Sequence, residues 1–312
     1  MPNRFVVVTM WTLIASQQTV RAFLPVACRS SPFGSSRLFA SEITDDSSTA
    51  AAANGGEEEA TYTPWNRPPR EDPPTRRNNK TRFRQHVNPL ASQYQMQTPL
   101  SDAWPTDVFD DMTRSLHLDI GCSKGGFLLD IADKQPGKNY LGVEIRPVVA
   151  EFAQARVAKR GFTGTLNFVG CNANVDLDRL LTRYDSNGGG ALDFVSIQFP
   201  DPHFKTQHNK RRVVTTLLVQ TLAKFMVPDA VIFLQSDIQE VLDDMRLKFR
   251  DFDQYFEDEV KDVEEYMPEN YLGIPTERET SVIERDLPVF RTIFRRTTTA
   301  FQEVKNEEEE TQ

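Results

Sequence analysis

The sequence predicts a doubly wound α/β fold with a mostly parallel sheet, on three observations. Strand-like and helix-like apolar periods alternate from Leu116 to Arg250, a glycine-rich turn separates the first strand from the first helix, and polar side chains recur where strands end. Leu116-His117-Leu118-Asp119-Ile120 alternates as a strand, and the helix that follows it, Gly126 to Lys134, stops before Pro136. A second strand runs from Asn139 to Glu144, and a helix over Val148 to Arg160 stops at Gly161. Leu166 to Gly170 is the third strand, with a helix from Val175 to Tyr184 before the loop Ser186 to Gly190. Leu192 to Phe199 is the fourth, followed by a helix from Lys210 to Phe225; Ala230 to Gln235 is the fifth, followed by a helix from Ile238 to Arg250. Two β-rich runs in Val282 to Thr298, on either side of Leu287-Pro288, predict an antiparallel edge hairpin and bring the sheet to seven strands. Ligands in such sheets sit beyond the carboxyl ends of the strands, where this chain carries Asp119, Glu144, Asn172, Asp201 and Asp237.

The first strand passes into its helix through Gly121-Cys122-Ser123-Lys124-Gly125-Gly126, which looks like the first βα unit of a nucleotide-binding fold. Gly121 permits the tight turn, and Gly125 and Gly126 let backbone approach a ligand that a Cβ would block. Ser123 stands where a dinucleotide fingerprint has its second glycine, and no Lys-Ser/Thr pair follows at phosphate-loop spacing, which argues against a nucleoside triphosphate. Glu144 ends the next strand, about twenty residues on, where a carboxylate accepts from both hydroxyls of a ribose. An ordinary acid at a helix N-terminus is the plain alternative for Glu144.

The fourth strand leads into Gln198-Phe199-Pro200-Asp201-Pro202-His203-Phe204-Lys205, and then into the cations Lys210, Arg211 and Arg212. Each proline fixes its own φ and biases the residue before it toward an extended conformation, so a stiff loop aims the Asp201 carboxylate. In isolation a proline-flanked turn with a solvated basic helix start is the favoured reading of this stretch. Its position after a strand of a nucleotide-binding sheet favours a site.

The chain has 312 residues and a net charge of −9, room for one catalytic domain, placed here at residues 85–300. Three cysteines, Cys28, Cys122 and Cys171, are too few for a disulfide framework and lack metal-ligand spacing, so neither a metal site nor a thiol nucleophile is indicated. Residues 1–44 have the composition of a signal segment followed by a Ser- and Arg-containing transit segment without an acid until Glu42; together they resemble the two-part plastid leader of algae with complex plastids. A secretory or mitochondrial leader is the competing reading. Residues 45–84 form a proline-rich arm with almost no aliphatic side chains and a basic run from Arg67 to Arg84, and residues 301–312 an acidic tail. Local charge decides binding, so the acidic total does not exclude an RNA partner.

From Thr81 to Thr298 the residues resemble the bacterial-type tRNA (guanine-N7-)-methyltransferases of the class I, adenosylmethionine-dependent fold, particularly the forms of cyanobacteria and plant lineages. The resemblance begins at Arg84-Gln85-His86-Val87-Asn88-Pro89-Leu90 and is most specific at Phe199-Pro200-Asp201-Pro202 and His208-Asn209-Lys210-Arg211-Arg212. It closes with Gly273-Ile274-Pro275-Thr276-Glu277-Arg278-Glu279 and Leu287-Pro288-Val289-Phe290-Arg291. It implies a seven-stranded Rossmann-like sheet, S-adenosyl-L-methionine as cofactor and tRNA as substrate, with neither stable membrane association after leader removal nor an obligatory protein partner. It further implies that Asp119, Gly121, Glu144 and Asn172 meet the cofactor and that Asp201 is the active-site acid. Lys205, Asp237, Thr276, Glu277, Arg278 and Glu279 are implied to meet RNA or guanine, and Lys210, Arg211 and Arg212 the RNA backbone. Asn172 replaces a commoner Asp, and His203-Phe204 replaces a commoner Trp-His.

The chemistry suits these residue types. Guanine N7 carries an in-plane lone pair and no proton, so attack on a sulfonium methyl needs positioning more than a base. The guanine edge offers N1–H and N2–H donors, which a carboxylate such as Asp201, helped by Glu279, can hold. A nicotinamide oxidoreductase would share the glycine turn but gives no reason for the Pro-Asp-Pro loop beside cations. A non-catalytic RNA-binding module leaves the strand-end acids idle, and a methyltransferase acting on another RNA or a small molecule is the nearest alternative.

Overall fold

The computed structural model describes residues 86–203, 206–262 and 265–303; the leader, the arm, Lys205 and the tail acids Glu307 to Glu310 lie outside them. Among the described residues the strands are β1 (Leu116–Ile120), β2 (Asn139–Glu144), β3 (Leu166–Gly170), β4 (Leu192–Gln198), β5 (Met226–Ser236), β6 (Phe256–Asp258) and β7 (Phe290–Arg296). The helices are α1 (Gly126–Lys134), α2 (Pro147–Arg160), α3 (Ala173–Ser186), α4 (Thr216–Phe225), α5 (Gln239–Arg250) and α6 (Glu277–Ile283). They form one sheet in the order β3-β2-β1-β4-β5-β7-β6, parallel through the first five and antiparallel at β5-β7-β6. The sheet is doubly wound, as expected, and its order reverses between β1 and β4, which opens a crevice at the carboxyl ends of those two strands.

Side-chain alternation divides the core into layers. Leu116, Leu118 and Ile120 of β1 pack with Leu177, Leu180, Leu218, Leu222 and Leu242 of α3, α4 and α5. Tyr140, Leu166 and Phe168 join Leu128, Ile131, Ala153 and Val157 of α1 and α2 in a second cluster on the opposite face. Gly142 in β2 exists because of that second layer: a Cβ there would stand 2.7 Å from Phe168 Cε1 and 2.8 Å from Cys122 Sγ. Gly142→Ala is therefore expected to cost about 1–3 kcal/mol by overpacking, read as a lowered midpoint in urea unfolding at unchanged slope.

Three predicted elements differ in detail. The helix expected from Lys210 begins at Thr216, where the Thr215 hydroxyl accepts from Leu218 N–H at 3.1 Å and caps it. Thr206–Arg211 is a separate short 3-10 helix, so Lys210 and Arg211 sit at its end and not on the face of α4. The antiparallel edge is present, but β7 pairs with Phe256–Asp258 because Val282 and Ile283 belong to α6. A capping box starts that helix: Thr276 Oγ1 accepts from Glu279 N–H at 3.0 Å, and the Glu279 carboxylate accepts from Thr276 N–H. Phe199, expected to be extended, has φ of +50°, a left-handed conformation that bulky residues hold only when surrounding structure enforces it.

Candidate active site

The crevice between β1 and β4 opens into a cavity of about 800 Å³ lined by all five strand-end residues, Asp119, Glu144, Asn172, Asp201 and Asp237. Gly121, Thr276, Glu277, Arg278 and Arg211 also line it; Glu279, Lys210 and Arg212 do not.

Asp119 is buried at the end of β1, where its Oδ1 accepts from Ser196 Oγ at 2.6 Å and from Gln198 Nε2 at 3.4 Å. With its hydroxyl proton given to Asp119, Ser196 Oγ accepts from His117 Nε2 at 3.1 Å. Burial lowers the His117 pKa to about 3, so this imidazole is neutral. Burial raises Asp119 from an ordinary 3.8 to about 6, against the opposing pull of its two donors. A carboxyl raised in the folded state contributes stability that is full below about pH 3.8 and lost as pH rises through about 6. Asp119→Asn is expected to gain on the parent by on the order of 2–3 kcal/mol between about pH 4 and pH 7, measured by urea unfolding across pH, while weakening cofactor binding.

Glu144 ends β2 with its carboxylate fully engaged. Oε1 accepts from Arg146 N at 3.0 Å and Nε at 2.8 Å, and Oε2 from Ser123 N at 3.1 Å and Arg146 Nη2 at 2.9 Å. A ribose diol therefore has to displace donors, and the Arg146 side chain, 19% exposed, is the one able to swing away. Asn172 caps α3 by accepting from Asn174 N–H at 3.1 Å, while its Nδ2 donates to the carbonyls of Pro89 and Tyr94. Gly121, at φ +85°, has no heavy atom within 4 Å of a built Cβ, so its backbone is open to close approach by a ligand. A buried anion beside a glycine turn and a carboxylate suited to a diol fit the sulfonium amino acid and ribose of adenosylmethionine. Cys122 and Cys171 border the same cavity with thiol pKa values pushed up by burial, Cys171 to about 12, which leaves them as apolar lining.

In the same cavity, Asp201 projects from its two-proline loop with 37% of its side chain exposed, and its Oδ1 lies 2.7 Å from His86 Nδ1. Arg212, expected on the RNA backbone, is instead buried: it pairs with Glu240 at 3.2 Å and Asp244 at 3.0 Å and donates to the Pro202 carbonyl at 3.3 Å, tying the loop to α5. Lys210 is exposed, and Arg211 is partly buried, its Nε without a partner. Asp237 pairs with Arg278 at the rim. Glu279, expected to help hold the base, is also turned inward: it bonds Arg291 at 2.7 Å, Asn270 Nδ2 at 2.7 Å and Gln235 Nε2 at 3.2 Å. Gln235 Nε2 donates on to Gln198 at 2.7 Å, which in turn donates to Asp119. A buried polar chain thus runs from α6 to Asp119 through the last residue of β4. Sequence reasoning gave no role to Ser196, Gln198, Gln235 or Arg291; the local signal for the first three is a polar residue inside a mostly apolar strand, and Arg291 lies in a strand with two other arginines.

Comparison with known proteins finds methyltransferases. A family model described as "Putative methyltransferase" matches residues 113–292. The tRNA (guanine-N(7)-)-methyltransferase of Synechococcus elongatus is 44% identical over 217 residues, 69% of this chain and 96% of that protein. The protein of the same name from Synechocystis is 40% identical over 220 residues, 70% of this chain and 99% of that protein. Among solved structures, the aminoglycoside resistance methyltransferase NpmB1 is 18% identical, covering 60% of this chain and 89% of that one at a TM-score of 0.40.

Proposed function

Because the chain belongs to the tRNA (guanine-N(7)-)-methyltransferase family, we infer that it methylates guanine N7 in tRNA with S-adenosyl-L-methionine, in a site where Asp201 orients the base. The observation that carries the site assignment is the convergence on one cavity of two buried acids from strand ends and the Asp201 loop. When bound, adenosylmethionine supplies an electrophilic methyl group on a sulfonium. Asp119 would hold its ammonium, whose charge offsets the penalty of ionising a buried carboxyl, and Glu144 its ribose hydroxyls once Arg146 gives way.

Asp201 needs no proton from N7. Its carboxylate accepts from the N1–H and N2–H edge of guanine, which fixes the direction in which the N7 lone pair points. Arg146 keeps its positive charge beside both acids, its pKa raised chiefly by its Glu144 bonds and also by Asp201. Lys210 and Arg211, at the turn beyond the loop, are suited to phosphate, as is Lys205 by its position in the sequence. Following the family resemblance, the target guanine is assigned to the variable loop. Plastid localisation is proposed from the composition of the first 44 residues alone.

The test is methyl transfer from labelled adenosylmethionine to unfractionated tRNA, followed by nucleoside analysis. Label is expected only in 7-methylguanosine. Binding of adenosylmethionine without transfer to tRNA would move the substrate to a small molecule or another RNA.

A further inference from the structure

We propose that His86 is a positioning residue for Asp201, delivered by an N-terminal strap that also closes the cofactor side of the cavity. The proposal rests on the reading of Asp201 as the guanine orienter. The prolines and the left-handed residues Phe199 and His203 define the backbone of the Asp201 loop, but they leave the torsions of its side chain unset. Among the described residues, the contact that restrains that carboxylate is the 2.7 Å bond from His86 Nδ1 to Oδ1. It engages one oxygen and leaves the lone pairs of Oδ2 for the donors of a guanine edge.

His86 is 62% exposed, so its own side chain gains little from packing. The chain that follows it is nevertheless held from Pro89 onward. Asn172 Nδ2 donates to Pro89 O at 3.3 Å and Tyr94 O at 3.1 Å, and Gln95 Nε2 donates to Pro89 O at 2.7 Å. Further along, Thr98 N donates to Asp176 at 2.7 Å and Thr98 O accepts from Arg179 at 2.7 Å, anchoring the strap to α3. His86, Val87 and Pro89 line the cavity, so the segment that touches Asp201 also walls the space assigned to the cofactor. Asn172 and His86 then act as two ends of one device: the residue after β3 grips the strap, and the strap aims the acid after β4.

The test uses the full chain and compares His86→Ala, His86→Asn, Asp201→Ala and the His86→Ala/Asp201→Ala double variant. The amide nitrogen of Asn stands as far from its Cβ as Nδ1 does in His, so His86→Asn is expected to stay near the parental rate. His86→Ala is expected to lower kcat by roughly ten- to a hundredfold with adenosylmethionine affinity unchanged, the scale of a misplaced reacting group. The double variant should be no slower than Asp201→Ala, since the histidine acts only through the acid. A parental rate in His86→Ala beside an inactive Asp201→Ala would overturn the proposal, as would equal losses in the Ala and Asn variants. An active Asp201→Ala would instead strike the reading of Asp201 itself.

Discussion

Asp201→Ala is expected to lower kcat for tRNA methylation by two to three orders of magnitude, while adenosylmethionine affinity and thermal stability stay close to the parent. The separation follows from placement. Asp201 lines the cavity from its own loop with 37% of its side chain in solvent, so truncation leaves no void in the core and no buried charge without a partner. His86, the group it bonds, is exposed and rehydrates. On the proposed reading, what disappears is the acceptor that fixes the base, and a base free to turn rarely presents N7 in line with the methyl group. Asp201→Asn sharpens the point: an amide of the same shape replaces one acceptor oxygen with a donor, which opposes N1–H and N2–H, so it should recover little activity. Single-turnover transfer beside equilibrium cofactor binding measures both quantities. A variant that bound adenosylmethionine poorly but transferred methyl normally once saturated would move Asp201 to the cofactor side.

The second large effect is on stability. Glu279→Ala should destabilise the domain by about 3–5 kcal/mol, because it leaves the guanidinium of Arg291, 6% exposed, without its carboxylate. It also removes half of the capping box of α6 and takes one acceptor from each of Asn270 and Gln235. For a domain of this size the melting temperature should fall by roughly 10 °C or more. Glu279→Leu combined with Arg291→Met should recover much of the loss, since replacing both members of a buried pair with apolar groups is far milder than removing one. A loss of activity in Glu279→Ala at unchanged melting temperature would instead place the side chain on the guanine, as its sequence position suggested. The buried chain through Gln235 and Gln198 predicts that any activity lost in Glu279→Ala accompanies the loss of order at the end of β4, where the Asp201 loop begins.

What was legible in the sequence was whatever local chemistry decides. Apolar period marked β1 to β4 to within a residue or so, and Pro136 and Gly161 stopped helices as prolines and glycines do. The five polar residues at strand ends were recognisable because a parallel sheet turns every such end toward one edge, and that edge holds the cavity. Local pattern misplaced the start of α4, since a basic turn and a helix start look alike until Thr215 is seen to cap the helix.

Tertiary structure alone decided which charges are spent and which are available. Glu277 and Glu279 are two positions apart, yet the first lines the cavity and the second is sealed against Arg291. Lys210 is exposed while Arg212 is locked to Glu240 and Asp244, and His86 reaches Asp201 across 115 positions of chain. A helix or strand is chosen by neighbours a few residues away, so its period is written in the sequence. The role of a charge is set by its partner and its distance from water, and both are fixed only when remote segments of the chain are brought together.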